Sequence, residues 1–125
     1  MKYLGIDFGL RRIGLATSEG ELASPLKTLE VRNFKDGVSK VLEFLRKEEF
    51  EKIIVGLPEG RMGQTVKGFI KVLRKAGLDV TESDETLSSR KATEQMIELN
   101  IPQKKRKTSD DMAAAIILQN WLDEG

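Results

Sequence analysis

The chain contains no histidine and no cysteine. That excludes thiol nucleophiles, Ser-His-Asp triads and zinc sites built on imidazole or thiolate. Any proton or metal chemistry must therefore come mainly from Asp, Glu, Lys or Tyr. Carboxylates holding Mg²⁺ or Mn²⁺ are the natural candidates, because hard cations take oxygen ligands. Three acidic places stand out. Asp7 lies in Gly5-Ile6-Asp7-Phe8-Gly9, at the end of an apolar run. An ionised carboxylate there is costly unless it is paired, hydrogen-bonded or bound to metal. The flanking glycines leave room for a bulky anion near the backbone, although an Asp that merely caps a turn explains the position equally. Asp84-Glu85-Thr86 follows a short alternating segment. Such acids also serve as turn formers, and Thr86, Ser88 and Ser89 can open a helix. Asp110-Asp111 precedes an apolar helix, where first-turn acids are stabilised by the helix dipole.

Taken together the three places mean more than each alone. If the first strand is central and the later acids reach the same end of the sheet, the carboxylates converge. Their mutual repulsion then calls for cations. Two divalent ions about 3.5–4 Å apart can activate a water and stabilise a leaving oxygen in phosphodiester hydrolysis. The basic run Lys104-Lys105-Arg106-Lys107 stands just before the third acidic place and could supply phosphate contacts. Arg11 and Arg12, after Gly9, are further candidate nucleic-acid contacts. Gly56 to Gly63 is a glycine-rich loop without the Gly-Lys-Ser/Thr ending of a P-loop. It could hold a phosphate at the next helix N-terminus, assisted by Arg61 and Lys67. Glu59 is a possible extra acid.

The elements that must position these groups follow from periodicity. Lys2–Asp7 reads as a strand, Gly9–Arg12 as a hairpin turn with glycine supplying an unusual backbone angle, and Ile13–Thr17 as a second strand. Leu22–Val31 is a third, giving an antiparallel meander. Val38, Val41, Leu42 and Leu45 fall at helical spacing, as do Val66, Phe69, Ile70 and Leu73, with Gly77 as a C-terminal cap. Ile53–Leu57 suits a strand buried on both faces, ended by Pro58. Leu78–Glu82 alternates as a fifth strand. Ala92, Met96 and Leu99 predict a third helix, and Asp110–Leu122 a last one that packs deeply. The order βββαβαβαα implies a mixed five-stranded α/β sheet in one domain over residues 1–125, with parallel strands joined by right-handed crossovers. With 39% hydrophobic and 33% charged residues the chain reads as globular. No apolar run approaches the roughly 18 residues of a membrane span, and no signal-peptide pattern opens it, so a cytoplasmic location and no membrane partner are expected. The net charge of +1 provides no strong global field toward nucleic acid.

Four blocks, in order, carry a resemblance that covers nearly the whole chain: Gly5-Ile6-Asp7-Phe8-Gly9 with Arg12-Ile13-Gly14-Leu15-Ala16; Val55-Gly56-Leu57-Pro58 with Gly63; Asp84-Glu85-Thr86-Leu87-Ser88-Ser89; and Asp110 with Ala113-Ala114 and Ile117-Leu118-Gln119. Together they resemble the YqgF (RuvX-like) family. The resemblance implies an RNase H-like fold, with helices on both faces of the sheet, similar to the RuvC resolvases. It implies a metal-dependent endonuclease, acting either in 5′-end maturation of precursor 16S rRNA or on Holliday junctions. It also implies that Asp7, Glu85 and Asp110 are the catalytic and metal-binding acids, with two Mg²⁺ or Mn²⁺ ions. Asp110 rather than Asp111 matches by its distance from the Ala-Ala segment. Some relatives add a His or a further acid; here Asp84 or Asp111 would have to serve. The expected partners are precursor rRNA or a DNA junction, with precursor ribosomal particles in the first case. The protein would be a monomer or a homodimer. Two other readings compete: a sugar-kinase-like ATPase, for which one domain is too short, and a nucleic-acid-binding module without catalysis.

Overall fold

The computed structural model describes residues 2–84 and 109–124. Five strands form one mixed sheet: β1 (Tyr3–Asp7), β2 (Arg12–Ser18), β3 (Ala23–Glu30), β4 (Lys52–Leu57) and β5 (Val80–Asp84). Their order is β3-β2-β1-β4-β5, so β1 is central. It pairs antiparallel with β2 and parallel with β4, and β5 continues the parallel half. Helices α1 (Phe34–Lys47) and α2 (Arg61–Lys75) cover one face, and α3 (Asp110–Glu124) covers the other.

Strand alternation sorts the core. Leu4, Ile6, Ile13, Leu15, Ile53, Val55 and Val80 point toward α1 and α2, where they meet Val41, Val66, Phe69, Ile70 and Leu73. Phe8 joins them, stacked on Phe69 with ring centroids 4.2 Å apart and edge-on to Phe34. The face under α3 is built from small residues: Gly5 and Ala16, with Ile54 against Ala114, Ile117 and Leu118. A Cβ on Gly5 would lie 2.8 Å from both the Ala114 carbonyl oxygen and Leu118 Cβ. The absence of that side chain lets α3 lie close on the sheet. The segment Ala114–Leu118 is buried throughout, as its apolar character predicts.

Several expectations shift in detail. The fifth strand starts at Val80, not Leu78, because Leu78 closes α2. Its N–H donates to the Leu73 carbonyl (3.2 Å) and the Gly77 N–H to that of Arg74 (3.0 Å), with Gly77 at φ 89°. This is a Schellman ending, in which the residue after the left-handed glycine folds back on the helix. Gly9 is not among the positive-φ glycines. Its need is space, since a Cβ there would sit 2.6 Å from the Arg12 carbonyl oxygen. Asn33 caps α1, its Oδ1 accepting from the Asp36 N–H (2.8 Å). The Arg32 backbone N–H donates to the Asp36 carboxylate and holds its pKa below the usual range. The predicted helix around Ala92–Leu99 lies outside the described residues.

Candidate active site

Parallel strands share a direction, so the C-terminal ends of β1, β4 and β5 lie along one edge of the sheet. The first residue of β2, Arg12, starts from the same edge because β2 runs the other way. Asp7 ends β1 there. Its neighbours Ile6 and Phe8 are buried toward α1 and α2. Asp7 therefore belongs to the opposite face, that of Gly5 and α3, and it is partly exposed. Across the strand pair it stands opposite Gly14.

Gly14 determines what else reaches Asp7. A Cβ built on it would lie 1.8 Å from the Asp110 carbonyl oxygen and 2.7 Å from the Asp111 nitrogen. The start of α3 is thus seated on bare β2 backbone, beside the residue that faces Asp7. From there α3 runs back along β1, since Ala114 and Leu118 cover Gly5 and Trp121 meets the Tyr3 ring edge-on at 5.3 Å. Two of the predicted acids, Asp7 and Asp110, are consequently gathered by one glycine. The room that Gly5 and Gly9 were expected to leave for an anion is occupied instead by α3 at Gly5 and by the Arg12 carbonyl at Gly9.

The two acids at the head of α3 have different tasks. Asp111 Oδ1 accepts from the Ser109 hydroxyl (2.6 Å) and from the Met112 backbone N–H (2.9 Å). It is engaged with its own helix end. Asp110 turns outward to β2, where Arg12 Nε lies 3.3 Å from Asp110 Oδ2. Asp84 ends β5 on the same edge, but its register with Leu57 puts it with Val80 and Glu82 on the α1–α2 side of the sheet. Asp7 belongs to the other face.

The candidate basic residues divide similarly. Arg12 is spent on Asp110, yet two-thirds of its side chain stays exposed. Arg11 is exposed in the β1–β2 turn, and its carbonyl accepts the Val31 N–H at 2.9 Å. Arg61 is exposed in the first turn of α2, which follows β4 and so begins at the same edge. Gly60 caps that helix with φ 76° and no side-chain hydrogen bond. Glu59 and Lys67 are exposed. Glu85 and Lys104 to Lys107 lie outside the described residues. The position that sequence reasoning passed over is Gly14. The signal for it was present in the small residues Gly5, Gly14 and Ala16, which recur at one-face spacing and match the alanines of α3.

Asp7 and Asp110 offer hard oxygen donors, the type that suits Mg²⁺ or Mn²⁺. The pairing of Asp110 with a guanidinium shows that this carboxylate accepts a cationic partner. Among the described residues no group of three or more candidate ligands assembles. What the described residues supply is two acids, one opposite Gly14 and one seated on it.

The fold places the protein in a known class. Thermus thermophilus RuvC, solved in complex with a Holliday junction substrate, superposes with a TM-score of 0.64 over 99% of this chain and 94% of its own, at 19% identity. The fowlpox virus Holliday junction resolvase gives 0.63 over 99% of both chains, at 14% identity. The architecture is the RNase H-like fold of the RuvC-type resolvases. In sequence, a protein of Endomicrobium trichonymphae named "Putative pre-16S rRNA nuclease" is 36% identical, the match covering 98% of this chain and 95% of that protein. The model of the RuvX family, described as Holliday junction resolvase, matches residues 1–124, and the chain belongs to that family.

Proposed function

We propose that this protein is a nuclease that hydrolyses phosphodiester bonds in precursor 16S rRNA during ribosome biogenesis. The observation that supports the reading is the seating of the Asp110 backbone on Gly14, the residue opposite Asp7, so that two acidic residues share one edge of the sheet. The 36% identical relative is named for that substrate, which supports the choice of RNA. In this reading Asp7, Asp110 and Glu85 hold two Mg²⁺ or Mn²⁺ ions. The metals would supply an activated water and charge neutralisation at the leaving oxygen. Asp7, anchored between two buried side chains, fixes the position of the site relative to the sheet. Asp110 brings the second charge and is carried by the α3 backbone. Arg11, Arg12 and Arg61 would steer and hold the phosphate backbone at that edge, and the run Lys104 to Lys107 would add positive charge for the substrate. The partners are accordingly nucleic acid and precursor ribosomal particles, and the location is the cytoplasm. Among the described residues no helix is long and apolar enough to cross a membrane.

A second reading takes a four-way DNA junction as substrate. The description of the family favours it, as does the junction bound to the RuvC neighbour. A junction resolvase would act as a two-fold dimer, whereas trimming an RNA end needs no such symmetry. One experiment separates these readings. Precursor 16S rRNA fragments and four-way DNA junctions are incubated side by side with Mn²⁺ and either wild type or Asp7→Asn. Cleavage of the RNA, reduced by about 10²-fold or more in the variant, is expected. Cleavage of the junction alone would transfer the reading to DNA. Binding without cleavage of either would make the protein a binding module, and equal rates for the variant would dismiss the Asp7 site.

A further inference from the structure

The ion pair between Arg12 and Asp110 lies inside the proposed metal site, and its placement has a consequence. Arg12 and Gly14 are two residues apart on β2 and share a face. Gly14 holds the backbone of Asp110 against the strand. The backbone of that acid is therefore fixed, while its side chain can choose between partners. One partner is built in: the Arg12 guanidinium, 3.3 Å from Oδ2. Asp110 is one-third exposed and Arg12 two-thirds exposed, so the pair is solvated enough to exchange.

We propose that Arg12 is a built-in counter-cation for Asp110, which a divalent ion must displace before it can bind. This rests on the reading of Asp7 and Asp110 as metal ligands. In the metal-free protein the guanidinium neutralises the Asp110 carboxylate. When a divalent ion takes over Asp110, Arg12 is released at the edge where the substrate backbone arrives. Arg12 is thus a positioning residue that sets the metal concentration at which the site becomes competent.

The test is calorimetric titration of metal-free protein with MnCl₂. Arg12→Gln should bind Mn²⁺ about two- to fivefold more tightly than wild type at low salt, the equivalent of one solvated ion pair removed. The gap should shrink as salt screens the pair. Arg12→Lys, which keeps the charge, should stay close to wild type. In an Asp110→Asn background, Arg12→Gln should change nothing. At saturating Mn²⁺, Arg12→Gln should raise KM for cleavage, because the released guanidinium is missing; a scaffold role would not pair tighter metal binding with a higher KM. Unchanged or weaker Mn²⁺ binding by Arg12→Gln, with Asp110→Asn still losing Mn²⁺, would overturn the counter-cation alone. If Asp110→Asn binds Mn²⁺ like wild type, the metal-site reading falls and this proposal falls with it.

Discussion

At the residue scale, Asp110 and Asp111 are adjacent identical side chains with different surroundings. Asp111 is satisfied locally by Ser109 and Met112, and Asp110 is turned toward Arg12 on β2. The difference arises because successive helical residues are rotated by about 100° around the axis. One of two neighbours can bond within its own first turn while the other reaches β2. We expect Asp110→Asn to lower the cleavage rate by about 10²-fold or more, at least what the loss of an outer-shell partner of a metal ligand costs. Asp111→Asn should keep most of the rate and instead lower stability by about 0.3–1 kcal/mol, the usual worth of a first-turn negative charge at a helix N-terminus. Rate assays and urea denaturation of both variants check this, and a reversed order would exchange the two roles. The sequence alone left the choice open, and the resemblance selected Asp110 by its distance from Ala113-Ala114. In the structure the two residues differ in their partners, Ser109 and Met112 for Asp111 and Arg12 for Asp110.

At the scale of elements, the site depends on how closely α3 approaches β1 and β2. That approach requires glycine at positions 5 and 14 and alanine at 16. Gly14→Ala puts a methyl group where the Asp110 carbonyl oxygen now is, so the head of α3 must lift. Overpacking of this kind costs about 1–3 kcal/mol. The expected result is a lower urea midpoint together with weakened Mn²⁺ binding, because Asp110 moves away from Asp7. Gly77→Ala is the control. It opposes a positive φ at the α2 ending, on the other face of the sheet, and should cost about 1 kcal/mol while leaving Mn²⁺ affinity as in wild type. Equal effects on metal binding would show that Gly14 has no special link to the site. The element pattern itself was legible wherever periodicity was strong, as in α1, α2 and β4. It slipped at Leu78, where an apolar residue that suits a strand is used to close a helix. It also slipped at Gly9, read as a conformational glycine when its requirement is room for a carbonyl.

At the scale of the whole molecule, the charge is nearly balanced, with 21 basic and 20 acidic residues. Substrate attraction must therefore come from a local arrangement rather than from the overall field. The sheet topology provides one edge at which Asp7, Asp110, Arg11, Arg12 and Arg61 all sit. If that edge carries the phosphate backbone, Arg61→Gln should reduce the slope of log K against log salt by about 1. Reversing the charges of Lys104 to Lys107 should reduce it further. Fluorescence anisotropy with a labelled precursor rRNA fragment over a salt series measures both. An unchanged slope would remove that residue from the binding surface.

The sequence by itself determined the chemistry that was available: no imidazole, no thiolate, and carboxylates at three separated places. It also determined the mixed sheet, because strand and helix periods are properties of neighbouring residues. Tertiary structure decided which acidic positions share one edge of the sheet and by what means. Asp7 and Asp110 are about a hundred residues apart, and no local pattern links them. Their proximity comes from pairing register, which sets Asp7 opposite Gly14, and from a missing side chain, which admits the backbone of Asp110 at that point. The pairing of Arg12 with Asp110 has the same origin. In the sequence Arg12 reads as a phosphate contact, and only the seating of α3 on β2 turns it toward a carboxylate of the site.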